Sequence, residues 1–599
     1  KDYLANGHAF CDARDKSKGM WKLETERGSW ASLPNYMISL LKAWYGDGAT
    51  KENEYGYQHL PKLPGDESLT ITMERALEGK VDGLIVFGQN IAVTNPNTGW
   101  SRDAIRNLKW LVVCDMFENE TASVWYADPD APDPSKCKTE VFLLPTNALI
   151  EKDGSANNTE RLMQWHDRVK EAPGDCRSDA WWIYQLGLRF KKMAEQSMLP
   201  RDEGMRTLTW NYGMAPNAVN VMGLPAVEGD ADINAVALEM NGVNLETKEP
   251  IQSSGELKAD GTTICGCRLL AGFIDKEGNN LMKRREPGEV DHELDLTYRV
   301  SWPTNTRILY NRCSADPEGK PWSENKKLIW WDELQKKWVG YDKPNFDETK
   351  APDYVPPEGA KGGAALAGTE PFTVHSDGKA WLFVPYGIKE GPFPVFYEPA
   401  ESPYKDAFFK NSKTPGIITM DSDLNKLAPQ GDPMFPTAMT TYHMTEHWLS
   451  GAMTRHVPWL VQLQPQTFIE ISPEMAEEIG IQSGSYVTVK NLRNSLQVKA
   501  LVTPRLRSGI VHGKPSSIVG SFVCSGYKGN MVSAITNDLS PAIEAPDGLI
   551  PASKGFVVKV EKGDPAKVEK LVPEKIQYPE AMIAPIPNTP WASQPEGRS

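Results

Sequence analysis

Three short runs of apolar residues, Leu84-Ile-Val-Phe87, Trp110-Leu-Val-Val-Cys114 and Val141-Phe-Leu-Leu144, constrain this chain more than any other feature. Each run is continuous rather than alternating, and helix or turn patterns separate them. A strand that is apolar on both faces needs cover on both, as in a parallel sheet flanked by helices. Met73 to Gly79 reads as one such helix, closed by its glycine. The expected fold class is α/β, with part of a doubly wound domain whose ligand lies beyond the carboxyl ends of the strands.

The rest of the chain reads differently. Residues 436–565 change to alternating strands, Tyr486 to Lys490 and Leu496 to Val502, with a shorter strand at Phe468-Ile-Glu-Ile471. Between them Ser472-Pro473-Glu474 opens a helix with a serine cap, proline at the first position and acid next, and Gly480 closes it. This pattern predicts a compact β-barrel. Upstream, Pro34 to Trp44 carries apolar residues at helical spacing. Because 599 residues exceed what one core supports, several domains are expected. The plan is a helical connector (1–70), an α/β domain (71–200), which the resemblance given below implies to be part of a dinucleotide-binding domain, an irregular insertion and linker (201–435) and the barrel domain (436–599).

Composition excludes some functions. A net charge of −14 argues against nucleic-acid binding, which needs a basic face. No apolar run approaches the roughly 18 residues of a membrane span. Lys1 to Phe10 is polar and has no signal-peptide core. Of eight cysteines only Cys265 and Cys267 are close, and no C-x2-C-x3-C run provides for an iron–sulfur cluster. There is no nucleophile elbow, P-loop or G-x-G-x-x-G.

Candidate site residues follow the strand ends. Gln89 lies in the turn after the first strand. Asp115, after Cys114, is placed to bond a ribose or a guanine edge, or simply to cap the next turn. Lys152, after the third strand, is suited to phosphate, and Asp179 reads as a carboxylate at a helix start. The densest polar stretch is Thr440 to Gly451, with His443, Glu446 and His447 among hydroxyls. His443 and His447 would share a face if helical, which suits a metal. Glu446 lacks the H-E-x-x-H order, so a hydrogen-bonding loop around a polar ring system fits better.

Several segments carry a resemblance: Leu41 to Asp47, Val141 to Pro145, Glu151 to Ser155, Gln164 to His166, Asp260 to Cys267, Arg307 to Pro317, Gly391 to Pro394 and Thr440 to Trp448. In this order they resemble the carboxy-terminal portion of the large subunit of respiratory formate dehydrogenases, in the molybdopterin oxidoreductase superfamily. The resemblance implies a barrel of double-psi type. It implies a molybdenum or tungsten centre held by bis-molybdopterin guanine dinucleotide. Gln89, Cys114, Asp115, Lys152 and Asp179 match positions around one dinucleotide, and Asn119 one near its guanine. Thr441, Tyr442, His443, Met444, Thr445, Glu446, His447, Trp448, Leu449 and Ser450 match the loop around the pterins, with Asn537 and Lys554 as later contacts. His443 stands where relatives commonly carry arginine, and histidine offers fewer donors.

The same resemblance implies that the metal-ligating selenocysteine or cysteine with its histidine, the formate-binding arginine and a [4Fe–4S] cluster reside on a separate amino-terminal piece, either a partner polypeptide or the remainder of a longer chain. The chain is then not catalytic alone. A further iron–sulfur electron-transfer subunit, formate and carbon dioxide are the other expected partners. The periplasm is the expected location, with the cytoplasm as the alternative. Rival readings are a nitrate or polysulfide reductase and a non-catalytic scaffold.

Overall fold

The computed structural model describes residues 33–60, 67–128, 133–157, 163–215, 218–220, 223–283, 311–341, 347–369, 397–408, 414, 416–522, 526–527, 534–546 and 548–565. Residues 1–32 of the expected connector, the segments 307–310 and 391–394, and the end of the barrel domain at 566–599 lie outside these. The principal elements run, in chain order, α1 (Leu33–Tyr45), α2 (Leu69–Leu77), β1 (Gly83–Phe87), α3 (Thr98–Arg106), β2 (Trp110–Asp115), β3 (Glu140–Pro145), α4 (Asp179–Glu195), β4 (Thr437–Tyr442), α5 (Pro458–Leu463), β5 (Phe468–Ile471), α6 (Pro473–Ile479), β6 (Tyr486–Lys490), β7 (Ser495–Val502), β8 (Val519–Phe522) and β9 (Phe556–Lys562). They fall into two compact units, Lys1–Pro64 with Thr146–Pro385 and Gly65–Pro145 with Tyr386–Ser599.

In the first unit α1 buries Ile38, Leu41 and Tyr45 against Ala49, Tyr55 and Tyr57, the one-sided stripe expected of an amphipathic helix. α4 starts where Ser178 Oγ accepts a bond from the Trp181 amide at 2.9 Å. The cap is therefore Ser178, and Asp179 occupies the first helical turn, where its charge suits the helix dipole. From residue 201 to 341 the elements are short, such as the helix Ile233–Asn241 and the hairpin of Ile329–Asp332 with Lys337–Gly340.

In the second unit β1, β2 and β3 form a parallel sheet in that order. Val86, Leu111 and Val113 point into a core made with Met73 and Ala76 of α2 and Trp100, Ala104 and Ile105 of α3. Gly83 pairs with Trp110, and a side chain at Gly83 would overlap the indole ring. The opposite face presents an in-register row, Ile85, Val112 and Phe142. Ile85 is 40% and Phe142 44% exposed, because α2 and α3 both lie on the other side. The continuous apolar runs predict cover on two faces, and the described residues of this unit cover one.

The barrel closes in the order β4-β8-β5-β7-β6-β9. Two of its pairings are parallel, β4 with β8 and β5 with β7, and the others are antiparallel. Alternation fills its interior: Val487 and Val489 from β6, Leu496, Val498 and Ala500 from β7, Phe556, Val558 and Val560 from β9. α6 begins and ends as its sequence specifies, with Ser472 Oγ accepting from the Met475 amide and Gly480 left-handed at φ +74°.

Barrel and sheet are bolted together within this unit by polar groups. Asn537 Nδ2 donates to the carbonyls of Val93 and Thr94 at 3.2 and 3.0 Å. The Asn97 amide donates to Ser540 Oγ at 3.2 Å, and its side-chain Nδ2 donates to the Leu424 carbonyl at 2.7 Å. Asn537→Ala leaves the buried Val93 carbonyl and the part-buried Thr94 carbonyl without this donor and is expected to lower the unfolding free energy by about 1–3 kcal/mol. Urea melts of the two proteins give that difference, and equal midpoints would mean the bolt carries no weight.

Candidate functional site

The site builds outward from the carboxyl ends of β1 and β2. Gly88, at φ +57°, turns the chain after β1, and its amide donates to the Cys114 carbonyl. Gln89 follows with its side chain exposed, while Cys114 is buried. Asp115 accepts from the Met116 amide at 2.7 Å and from Asn119 Nδ2 at 2.6 Å. Asn119 in turn caps the short helix Glu120–Ser123 through Oδ1. Two residues singled out in the sequence thus form one fixed pair, a carboxylate clamped by an amide at the end of a parallel strand. Such a group suits the donor edge of a base or a ribose hydroxyl.

Lys152 and Asp179 form a second pair, in the other unit, with Nζ and Oδ2 2.6 Å apart. Lys152 also borders a small cleft lined among others by Asp153, Arg168, Asn220 and Asp230. Burial pushes the Asp230 carboxyl above its ordinary range, with Ser178, the Ala231 amide and Arg168 opposing.

The barrel supplies the third group. Thr441 is buried on β4, and Lys554 Nζ lies 3.0 Å from both its carbonyl and its Oγ1. Tyr442, next on the strand, lies over Gly520, where any side chain would crowd its ring. Its hydroxyl is buried and has no hydrogen-bond partner among the described residues. Burial and then Glu470 push its pKa up, against Arg505.

Residues 443–450 form bends and a turn, so His443 and His447 share no helical face, and the helical metal-pair reading is corrected. Beyond His447 the chain turns sharply, with Leu449 and Gly451 at φ +48° and +79°. His447 is buried, with Nδ1 3.0 Å from Thr454 Oγ1 and Nε2 donating to the Gln464 carbonyl at 2.9 Å. Both nitrogens are spent anchoring the loop. Met444 packs on Val461 and Phe522, whereas His443, Thr445, Trp448 and Leu449 are exposed and Glu446 and Ser450 half-buried. No cluster of three metal-binding side chains occurs among the described residues.

Burial lowers the pKa of Lys554 from the ordinary 10.5. A lysine with a depressed folded pKa binds fewer protons folded than unfolded, so stability is fully present above 10.5 and is lost as pH falls through the folded value. Lys554→Met is expected to abolish this alkaline rise, which melts between neutral pH and pH 10.5 detect.

Comparison with known proteins places these features. Residues 49–187 match the molybdopterin oxidoreductase family and residues 438–546 the molydopterin dinucleotide binding domain. The chain is 35% identical over 94% of its length to the formate dehydrogenase 2 subunit alpha (cytochrome c-553) of Nitratidesulfovibrio vulgaris, covering 54% of that protein. It is 34% identical over 90% to the formate dehydrogenase-O major subunit of Escherichia coli, covering 52%. To the formate dehydrogenase subunit alpha of Megalodesulfovibrio gigas it is 32% identical over 89%, covering 51%. The chain thus spans about half the length of the curated relatives it matches. The first molybdopterin domain contains Gln89, Cys114, Asp115, Asn119, Lys152 and Asp179. The second contains Thr441 to Ser450 and Asn537, and Lys554 lies just beyond its matched range.

Sequence reasoning missed the buried charges that join the two domains. Arg455 pairs with Glu120, which Asn90 also bonds at 2.6 Å. Arg102 pairs with Asp128 and Asp538 at 2.9 Å each. Their partners lie far along the chain, so no local spacing signals them.

Within the second unit, a clamped carboxylate, an exposed amide and a buried phenol without a partner among the described residues are groups that a long ligand rich in donors and acceptors, such as a guanine dinucleotide pterin, would engage.

Proposed function

We propose that this chain is the cofactor-holding part of a formate dehydrogenase catalytic unit, which oxidises formate to carbon dioxide or runs the reverse. The observation that carries the reading is the similarity to formate dehydrogenase subunits over nine tenths of the chain. Bis-molybdopterin guanine dinucleotide with molybdenum or tungsten is the proposed cofactor, and it supplies the two-electron chemistry when bound. Asp115, steadied by Asn119, and Gln89 would hold a guanine end, and in the other unit the Lys152–Asp179 pair is suited to phosphate and hydroxyl groups. The loop Thr441–Ser450, fixed by His447 and Lys554, would cover the pterins and keep water away. Tyr442 would donate its otherwise unpartnered hydroxyl. The barrel is proposed to be of double-psi type, which its two parallel pairings in a closed six-stranded ring support.

About half of each relative lies outside the match. The selenocysteine or cysteine metal ligand, its histidine, the formate-binding arginine and a [4Fe–4S] cluster are proposed to reside in counterparts of that half, in the same or another polypeptide. The uncovered row Ile85, Val112 and Phe142 supports this, because a parallel sheet needs cover on both faces. Such cover would complete the doubly wound domain. An iron–sulfur subunit would take the electrons, in a periplasmic complex.

The test is to purify the assembled unit and measure metal, guanine nucleotide and formate-dependent dye reduction beside a nitrate and polysulfide panel. Formate turnover alone supports the reading. Turnover of nitrate or polysulfide without formate contradicts it, and metal-free, nucleotide-free protein favours a scaffold.

A further inference from the structure

We propose that Glu120, Arg455 and the stacked pair Phe117 and His456 are positioning residues that clamp the loop after β2 to the foot of the barrel loop. This rests on the cofactor reading above and deepens it: one brace sets the spacing between the guanine contacts and the pterin contacts.

The loop after β2 runs from Asp115 through Phe117 and Asn119 to Glu120. Its first and third named residues are the candidate guanine contacts, and its second and fourth touch the barrel side. Glu120 is fully buried and pairs with Arg455, itself 1% exposed. Asn90, just past Gln89 at the end of β1, donates to the same carboxylate oxygen, Oε2, at 2.6 Å. Its own Oδ1 accepts from the amide and hydroxyl of Thr121. Both strand-end loops therefore meet at Glu120. Phe117 stacks on His456 with ring centroids 4.3 Å apart and planes within 5°.

On the barrel side, Arg455 is tied to the candidate pterin loop by its backbone. Its amide donates to the Gly451 carbonyl at 3.0 Å. The preceding Thr454 accepts from the Trp448 amide at 3.1 Å and bonds His447. Moving Arg455 moves the end of the loop.

Stability alone is a poor explanation for this pair. A buried ion pair gains little over apolar side chains of the same size, and here Nε and Nη1 of Arg455 have no hydrogen-bond partner among the described residues. Direction and spacing are what a charge pair supplies and an apolar contact does not. Holding two contact sets in one geometry before the ligand arrives lowers the ordering cost of binding.

The experiment uses the assembled, cofactor-loaded unit with Glu120→Gln, Arg455→Lys and Phe117→Leu. Arg493→Met serves as a control, since it breaks an equally buried pair, Arg493 with Glu401, elsewhere in the same unit. The readout is the rate at which guanine nucleotide leaves the protein during filtration. Glu120→Gln and Phe117→Leu are expected to speed release about tenfold or more. Arg455→Lys, which keeps the charge, is expected to restore part of the retention. Arg493→Met is expected to lower the melting temperature and leave release unchanged. If Glu120→Gln releases no faster than Arg493→Met, the inference is overturned. Should Glu120→Gln not fold, Phe117→Leu decides, because the Phe117 ring is exposed and belongs to no buried core cluster among the described residues. Wild-type protein without guanine nucleotide overturns the cofactor reading itself, a result separable from unaltered release.

Discussion

Replacing Arg102 with leucine is expected to cost about 3–5 kcal/mol of unfolding free energy, the usual result of removing one partner from a buried ion pair. Arg102 is 3% exposed and bridges Asp128, 1% exposed, and Asp538, 8% exposed. Thr98 also donates its hydroxyl to Asp538, and Arg106 also pairs with Asp128. Leucine fills much of the volume but leaves the Asp538 carboxylate without its cation in the joint between sheet and barrel. Burial already pushes the Asp538 carboxyl above its ordinary range, and Arg102 is the main opposing influence. Without Arg102 the folded pKa rises further. A raised folded carboxyl binds more protons folded than unfolded, so its contribution is present below the ordinary value of 3.8 and is lost as pH rises through the folded value. The deficit of Arg102→Leu is therefore expected to shrink as pH falls from neutral toward 4. Denaturant melts across that range check it, and a pH-independent deficit would show that Asp538 does not titrate there. Adding Asp538→Asn is expected to recover part of the loss.

The largest functional effect is expected at Asp115. Its carboxylate is held by Asn119 and the Met116 amide, so its orientation is set before any ligand binds. Hydrogen bonds to a charged group contribute about 1.5–3 kcal/mol each, and a guanine edge offers two donors to one carboxylate. Asp115→Asn keeps the shape, removes the charge and turns one acceptor into a donor. Cofactor affinity is expected to fall by about 100-fold or more, with activity falling in step because unloaded protein cannot turn over. Nucleotide content and dye reduction on the same preparation test this. Unchanged content would remove Asp115 from the site. Asn119→Ala is expected to have the same direction and a smaller size, since it loosens the carboxylate without deleting it.

What was legible in the sequence was local. The three apolar runs became β1, β2 and β3 with their boundaries moved by one residue, because a strand of a parallel sheet shows itself in consecutive apolar side chains, although no residue of β3 is fully buried here. Ser472, Pro473 and Gly480 fixed both ends of α6 for the same reason. The carboxyl ends of the strands pointed to Gln89 and Asp115, the family resemblance added Asn119, and the last two do meet. Illegible were contacts whose partners are hundreds of residues apart, such as Arg102 with Asp538 and Glu120 with Arg455. His447 shows the limit in another way. Its position in a polar stretch marked it as a ligand contact, yet both ring nitrogens are occupied by Thr454 and Gln464. Only the path of the backbone, bent by Leu449 and Gly451, reveals that. Ile85 and Phe142 mark the opposite case, where the sequence pattern asks for cover that the described residues of the unit do not give.

The central claim is that this chain grips a guanine dinucleotide pterin through two contact sets, and the nucleotide content of the purified, assembled protein tests it most directly. Mild acid hydrolysis followed by chromatography would release guanosine monophosphate from the wild type in proportion to its metal, with the amount sharply reduced in Asp115→Asn and left at the wild-type level in Arg493→Met. Assembled wild-type protein that is folded and yet yields no guanine nucleotide would contradict the account.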